Sequence, residues 1–308
     1  MTASIGIDIG GTAIKFGLVS GSGSILARDK RPYDRSMGFE ALMDLLADAC
    51  RGLERDAGTR AAAIGLSTPG HVDLHSGILV DGASNVPSLF RQPVRCALRD
   101  RLGLPVAVEN DGTAATFGEM RFGAGRGLGR FALVVIGTGI GGGIAIDGKV
   151  VTGTSGEPPE LGAIVLSPME RKPEDRLSGT FEGLAAASAF LRAYTTFGGA
   201  IEGMTVERLF ERATSGDAAA IQAIDSTARW IAQAFGTLIN ALNLEACIIG
   251  GGLAGAGDRL AEPVRRQLGD FTWPLLLANA AVRIAERGND AGVLGAAALA
   301  ATARASTP

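Results

Sequence analysis

Cysteine, histidine and tyrosine are scarce in this 308-residue chain, with three, two and two copies. Cys50, Cys96 and Cys247 lie far apart with no CxxC pair, and the histidines are His71 and His75. Neither a disulfide framework nor a Cys-rich zinc site can be assembled from such a set. A basic excess is also missing: Lys plus Arg total 29 against 32 Asp plus Glu, a net charge of -3. No cationic stripe is available to neutralise a row of phosphates, so nucleic acid is not an expected partner. Although 46% of the residues are hydrophobic, no uninterrupted apolar run approaches the ~20 residues of a membrane span. The strand-like run Ile5–Asp8 begins almost at once and leaves no room for a secretory leader, which predicts a cytoplasmic location.

Glycine, by contrast, is abundant. The 45 glycines are about twice the ~7% norm, lack a collagen period and gather at the ends of apolar runs. The length suits two domains at ~100–200 residues each. The opening reads as strand, Gly10-Gly11, strand, and a similar unit recurs where Phe131–Ile136 precedes the glycine-rich Gly137–Gly143 and further β sequence through Asp147-Gly148. Two related lobes with a cleft between them follow from that duplication. Helical spacing at Glu40–Leu53 alternates with strands at Ala62–Leu66 and Val106–Val108. Downstream, Phe181–Tyr194, Val206–Arg212, Asp217–Leu242, Asp258–Leu268 and Ala291–Ala303 read as helices, with strands at Ala246–Ile249 and Val282–Ala285. The class is α/β. Pro168–Ser178, with its charges and prolines, reads as disordered. The lobe boundary falls near Gly118–Gly129, giving lobes of 1–118, joined by a closing helix at 290–308, and 119–289.

Three strands end in glycine clusters: Asp8-Ile-Gly10-Gly11-Thr12, Gly137-Thr138-Gly139-Ile-Gly141-Gly142 and Gly250-Gly251-Gly252. Residues without Cβ let consecutive N–H groups converge on an anion, and Thr12, Thr138 and Lys15 add donors. Any one loop alone reads better as a turn; three together, with Asp8 preceding the first, favour phosphate. A dinucleotide fingerprint is excluded because β sequence, not a helix, follows Gly142, and no Walker A loop occurs.

These motifs, with Glu109-Asn110-Asp111, Glu160-Leu-Gly162 and Gly288-Asn-Asp-Ala-Gly292, occur in an order that resembles the ROK family of repressors, open reading frames and sugar kinases. The resemblance covers essentially the whole chain and implies the two-lobed, actin-like ATPase (ribonuclease H-like) fold. It implies ATP and Mg²⁺ as donor and cofactor, with Gly10, Gly11 and Thr12 on the phosphates, Asp8 near the metal, Gly137–Gly142 clamping the phosphates and Gly250–Gly252 beside the adenosine. Asp111 matches the catalytic base and Asn110 a sugar ligand. Gly70 and Asn85 fall in sugar-side loops, and Glu160 and Glu182 match carboxylates that accept from sugar hydroxyls. A homodimer is the family's usual assembly. Taken without the other motifs, Asn110-Asp111 reads better as the cap of a helix over Gly112–Met120.

The family pattern is broken at Ala163, where its zinc-binding histidine would stand, and Pro168–Thr180 has none of the family's zinc cysteines. Because tetrahedral zinc needs a complete ligand set, no structural zinc is expected. His71 beside Gly70 is a candidate sugar contact or a bystander. The leading expectation is an ATP-dependent kinase acting on a hydroxyl of a hexose or N-acylhexosamine, with lobe closure excluding water. The alternatives are a sugar-responsive repressor, which would carry a DNA-binding domain before the first glycine motif, and a sugar or nucleotide sensor without turnover.

Overall fold

The computed structural model describes residues 2–305. Its contacts divide the chain into two compact units: one takes in the chain up to Arg126, Lys149–Pro159 and the chain from Asn289 onward, the other Gly127–Gly148 and Glu160–Gly288.

The first unit opens with β1 (Ala3–Ile9), β2 (Ala13–Ser20) and β3 (Ile25–Pro32), then α1 (Phe39–Ala57), β4 (Ala61–Thr68) and the small hairpin β5 (His71–Asp73) and β6 (Ile78–Asp81). It continues through α2 (Val94–Leu102), β7 (Val106–Asn110) and α3 (Asp111–Phe122). The five-stranded sheet has the order β3-β2-β1-β4-β7, with antiparallel pairing on the β2 side of β1 and parallel pairing from β1 to β4 to β7. Successive side chains of a strand point to opposite faces. On one face Ile5, Ile7 and Ile9 meet Leu42, Met43, Leu46 and Leu53 of α1 in a single buried cluster. Those α1 residues recur at helical spacing, and Gly58 ends the helix in the left-handed conformation at φ 59°. The opposite face lies against the closing helix α10 (Ala291–Ala305). A Cβ on Gly65 would stand 1.8 Å from the Ala296 carbonyl oxygen, so only a bare backbone lets α10 sit this low.

The second unit carries β8 (Arg130–Ile136) and β9 (Ile140–Ile146), after which the chain turns through Asp147 and Gly148 into the two-residue β10 (Lys149–Val150). Asp147 and Gly148 both have positive φ, 52° and 76°, as an Asp-Gly hairpin turn requires. After the 149–159 segment come α4 (Phe181–Ala185), α5 (Ala187–Thr196), α6 (Val206–Thr214) and α7 (Ala218–Leu242). The unit ends with β11 (Ala246–Gly250), α8 (Asp258–Leu268), α9 (Pro274–Leu277) and β12 (Ala281–Ile284). Its sheet runs β9-β8-β11-β12, with β8 antiparallel to β9 and parallel to β11, and β11 parallel to β12. This is the arrangement of β2-β1-β4-β7, so the duplication suggested by the two strand–glycine–strand units is a duplication of sheet topology. The α7 residues Ala228, Ile231, Phe235 and Ile239 are buried in the unit's core with Val134, Ile136 and Ile249.

Several expected elements differ in the structure. The single helix read at Phe181–Tyr194 is broken at Ala186, which is extended at φ -68°, ψ 168°; the break frees the Ala187 N–H to donate to the Gly137 carbonyl at 2.9 Å. The stretch Pro168–Ser178, read as disordered, is a hydrogen-bonded loop. Arg171 donates to the carbonyls of Arg176 and Ser178, and the Lys172 N–H to Ser178 Oγ. Charged and proline-rich composition masked those local bonds. The segment 149–159 groups with the first unit, where Leu74 N donates to Ser155 O at 3.1 Å. β3, α2 and the β5–β6 hairpin carried no clear periodic signal.

Candidate active site

The parallel register of β1, β4 and β7 aligns Asp8 with Ser67 and Ser67 with Glu109, and the β1–β2 hairpin places Lys15 opposite Asp8. Aligned positions share a face, so four strands present a row of Lys15, Asp8, Ser67 and Glu109 close to the carboxyl ends of the parallel strands. Open α/β sheets bind ligands at those ends. Ser67 Oγ donates to Asp8 Oδ1 at 2.9 Å, and Lys15 Nζ donates to Asp8 Oδ2 at 3.4 Å and to the Asn289 carbonyl at 3.2 Å. Asp8 is therefore oriented through both oxygens while its side chain stays 18% exposed. The Gly288–Gly292 run now has a physical reason: a Cβ on Gly292 would come within 2.8 Å of the Asp8 carboxyl carbon.

Glu109 is the row's buried acid, only 8% exposed. Burial away from water pushes its carboxyl up to about 7, against the opposing pull of the Asn110 N–H, which donates to Oε1 at 2.9 Å. Ser67 and Glu109, the two further polar members of this row, are given no role by the sequence motifs. Ser67 has no motif of its own, and only strand register places it beside Asp8.

Immediately after β1, Gly10, Gly11 and Thr12 form the hairpin tip, closed by Gly10 N donating to Ala13 O at 2.9 Å, with Thr12 exposed. Asn85, in a short 3₁₀ turn (Ala83–Asn85), approaches this tip: a Cβ on Gly11 would be 3.6 Å from the Asn85 Cβ. At the end of β7 the two readings of Asn110-Asp111 separate. Asn110 is the cap, its Oδ1 accepting from Thr113 N at 3.1 Å, and Asp111 is the first residue of α3, its Oδ1 accepting from Gly112 N at 2.8 Å. The other end of the Asn110 amide donates to the Gly70 carbonyl at 2.9 Å, drawing Gly70 beside Asn110 and Asp111. His71 follows, its Nε2 buried without a hydrogen-bond partner.

In the second unit the turn is Gly137-Thr138-Gly139, with Thr138 exposed. Gly141 and Gly142 lie inside β9, paired with Val135 and Val134. Gly142 is buried at φ 139°, and a Cβ there would meet the Leu133 carbonyl at 2.0 Å, so its glycine serves the sheet rather than the turn. Glu182 Oε2 accepts the Ile140 N–H at 2.7 Å and braces the turn from behind, while Thr180 caps α4. Thr138 and Glu182 line a groove of ≈750 Å³ that also holds Arg171, Lys172 and Arg192. Gly250 ends β11 opposite Val135. Gly251, at φ 78°, backs onto Ile136, and Gly252 is exposed, so this cluster borders the Gly137 turn. Glu160 is exposed just before a 3₁₀ turn (Leu161–Ala163).

Among the described residues no group of three or more His, Cys, Asp or Glu side chains converges as a metal site. None of the described helices is long and apolar enough to cross a membrane. The buried Cys50 thiol is pushed up to about 12 and the Cys247 thiol is raised further, which removes both as nucleophiles.

The chain is 34% identical to a glucokinase of Thermotoga maritima over 307 residues, covering 96% of each chain. Among solved structures, a ROK hexokinase from Thermus thermophilus is 32% identical with a TM-score of 0.82, over 99% of this chain and 100% of that one. A ROK family glucokinase from Streptomyces griseus in complex with glucose and AMPPNP is 30% identical with a TM-score of 0.77, over 97% and 99% of the two chains. The ROK family model matches residues 4–303. With its two topologically matched α/β sheets, its strand-end glycine turns and this match across nearly its whole length, the chain belongs to the ROK family.

Proposed function

We propose that this protein is an ATP-dependent sugar kinase that transfers the γ-phosphoryl group to a hydroxyl of a hexose or N-acylhexosamine, glucose being the first acceptor to test. The observation that carries the reading is the division of labour at the end of β7, where Asn110 caps α3 by accepting from Thr113 N and Asp111 opens the helix's first turn, its carboxylate oriented by Gly112 N. Phosphoryl transfer depends on positioning and charge stabilisation, and a carboxylate fixed on a helix's first turn can be aimed at a hydroxyl.

In the proposed step Asp111 takes the proton of the sugar hydroxyl. The hydroxyl oxygen bonds to the γ-phosphorus as the bond to the β,γ-bridging oxygen breaks, and ADP departs. Asn110, Gly70 and Asn85 hold the sugar in unit 1, and Glu160 and Glu182 are the carboxylates that unit 2 offers to it. Gly10–Thr12 and Lys15 receive phosphate oxygens, as does the Thr138 turn; Gly251 and Gly252 are placed for the adenosine. Asp8 fits Mg²⁺: it is one partly exposed carboxylate with an oxygen oriented by Ser67, and Mg²⁺ binds through one or two carboxylates plus substrate phosphates. When bound, the ion neutralises charge on the β- and γ-oxygens. The same reading puts the enzyme in the cytoplasm as a homodimer, which mass measurement in solution checks.

Purified protein with ATP, Mg²⁺ and a panel of hexoses and hexosamines should form ADP only where the acceptor is present. Sugar binding without sugar-dependent ADP would replace this reading by the non-catalytic sensor that Ala163 raises.

A further inference from the structure

Arg35 has no part in the sequence motifs, yet it stands where two proposed ligand loops meet. Its Nε donates to the Gly11 carbonyl at 3.3 Å and its Nη2 to Asn85 Oδ1 at 3.0 Å, so one guanidinium bridges the tip after β1 and the 3₁₀ turn that carries Asn85. The two bonds use two of the five N–H donors of an arginine, and both acceptors are neutral. No carboxylate pairs with Arg35 among the described residues. Asp34, its neighbour in sequence, is occupied elsewhere: Oδ1 accepts both Ser36 N at 2.8 Å and Ser36 Oγ at 2.7 Å. An uncompensated cation with three donors to spare is thus fixed against the backbone of Gly11.

The loop that carries it is anchored on both sides. Tyr33 N donates to the Thr12 carbonyl at 3.0 Å, and the buried Tyr33 places its hydroxyl 3.0 Å from Ser88 Oγ, three residues beyond Asn85. The loop is thereby tied to the tip after β1 and to the 3₁₀ turn Pro87–Leu89, which follows the one carrying Asn85, so the backbone next to Arg35 is anchored near both of its acceptors. A planar fork of donors suits phosphate oxygens better than a point charge, and preorganised donors are most valuable where charge develops in a transition state.

We propose that Arg35 is an anion-binding residue of the site, contacting the phosphoryl group as it passes from the nucleotide held by Gly10–Thr12 to the sugar held beside Asn85. The inference rests on the kinase reading above and adds to it a residue that stabilises charge on the transferring group. It also orients the Asn85 amide through Oδ1, leaving the amide Nδ2 as a donor.

The test compares wild type with Arg35→Ala, Arg35→Lys and, as a control, Arg60→Ala, whose partner is the distant Glu54. In steady-state assays with ATP, Mg²⁺ and the preferred sugar, Arg35→Ala should lose about 10²–10³-fold in kcat. The KM for sugar should stay within a few-fold, that for ATP should rise by about the factor seen with pyrophosphate below, and Arg35→Lys should recover only part of the rate. Added guanidinium should partly rescue Arg35→Ala but not Asp111→Asn. A rise in sugar KM with unchanged kcat would reduce Arg35 to a brace for the Asn85 turn and overturn the proposal, as would wild-type kinetics. Calorimetric titration with magnesium pyrophosphate supplies a readout that does not need turnover: wild type should bind at least tenfold more tightly than Arg35→Ala, and equal affinities overturn the proposal. Should wild type fail to turn over any sugar while retaining this difference, the kinase reading fails and the anion site stands.

Discussion

Replacing Glu109 by glutamine isolates the one buried acid of the strand-end row. The glutamine keeps an acceptor for Asn110 N while removing the titration. In the native chain the carboxyl titrates at about 7, against 4.5 for the ordinary group. Between those values the unfolded chain has already released its proton while the folded protein still holds it. The native state then binds more protons, so stability falls as pH rises from about 4.5 to about 7 and is level beyond. Each pH unit of displacement corresponds to 1.36 kcal/mol, so the carboxylate weakens the fold by about 3 kcal/mol above neutrality. Urea unfolding of both proteins at half-unit steps from pH 4.5 to 8 is the assay. The difference, Glu109→Gln minus wild type, cancels the other titrating groups and should climb by about 3 kcal/mol in favour of the glutamine variant across that window. A difference that stays flat with pH would refute the burial argument, whatever its absolute size.

Asp111→Asn should lower kcat by about 10²–10⁴-fold with calorimetric sugar affinity kept within a few-fold, and an undiminished rate would remove Asp111 as the base. Gly142→Ala meets the Leu133 carbonyl and an unfavourable φ at once, so its urea midpoint should fall by the equivalent of about 1–3 kcal/mol or more; an unchanged midpoint would contradict the packing of β8 on β9. Glu182→Ala leaves the Ile140 N–H without its charged acceptor and should reduce kcat/KM for ATP roughly tenfold, the loss expected of one charge-assisted hydrogen bond near 1.5 kcal/mol. EDTA should stop turnover and added Mg²⁺ restore it, while a zinc chelator such as 1,10-phenanthroline should leave Tm unmoved.

Much of the framework was legible where the signal is local. A strand followed by glycines and another strand means a hairpin wherever it occurs, and both hairpins, β1–β2 and β8–β9, are present. The Asp147-Gly148 turn and the helix starting at Asp111 follow from turn and cap chemistry alone. Legibility failed where a distant backbone sets the conformation. Nothing in Phe181–Tyr194 announces a break, because the break at Ala186 answers the Gly137 carbonyl, which lies 49 residues earlier in the chain. Gly142 reads as part of a phosphate loop until the Leu133 carbonyl shows why no side chain fits there. Glu182 has one oxygen occupied by the Ile140 N–H, a bond invisible to any motif.

The sequence by itself determined the α/β class, the duplicated strand–glycine–strand unit and the residue types that phosphoryl transfer needs, because spacing, turn chemistry and missing cysteines are all properties of short stretches. Only the tertiary structure decided which of Asn110 and Asp111 caps the helix, that Ser67 and Glu109 share a row with Asp8, and that Arg35 bridges Gly11 and Asn85. Strand register brings residues some sixty and a hundred positions apart onto one face. That register is set by the burial of whole strand faces against α1 and α10, a collective quantity that no single motif records.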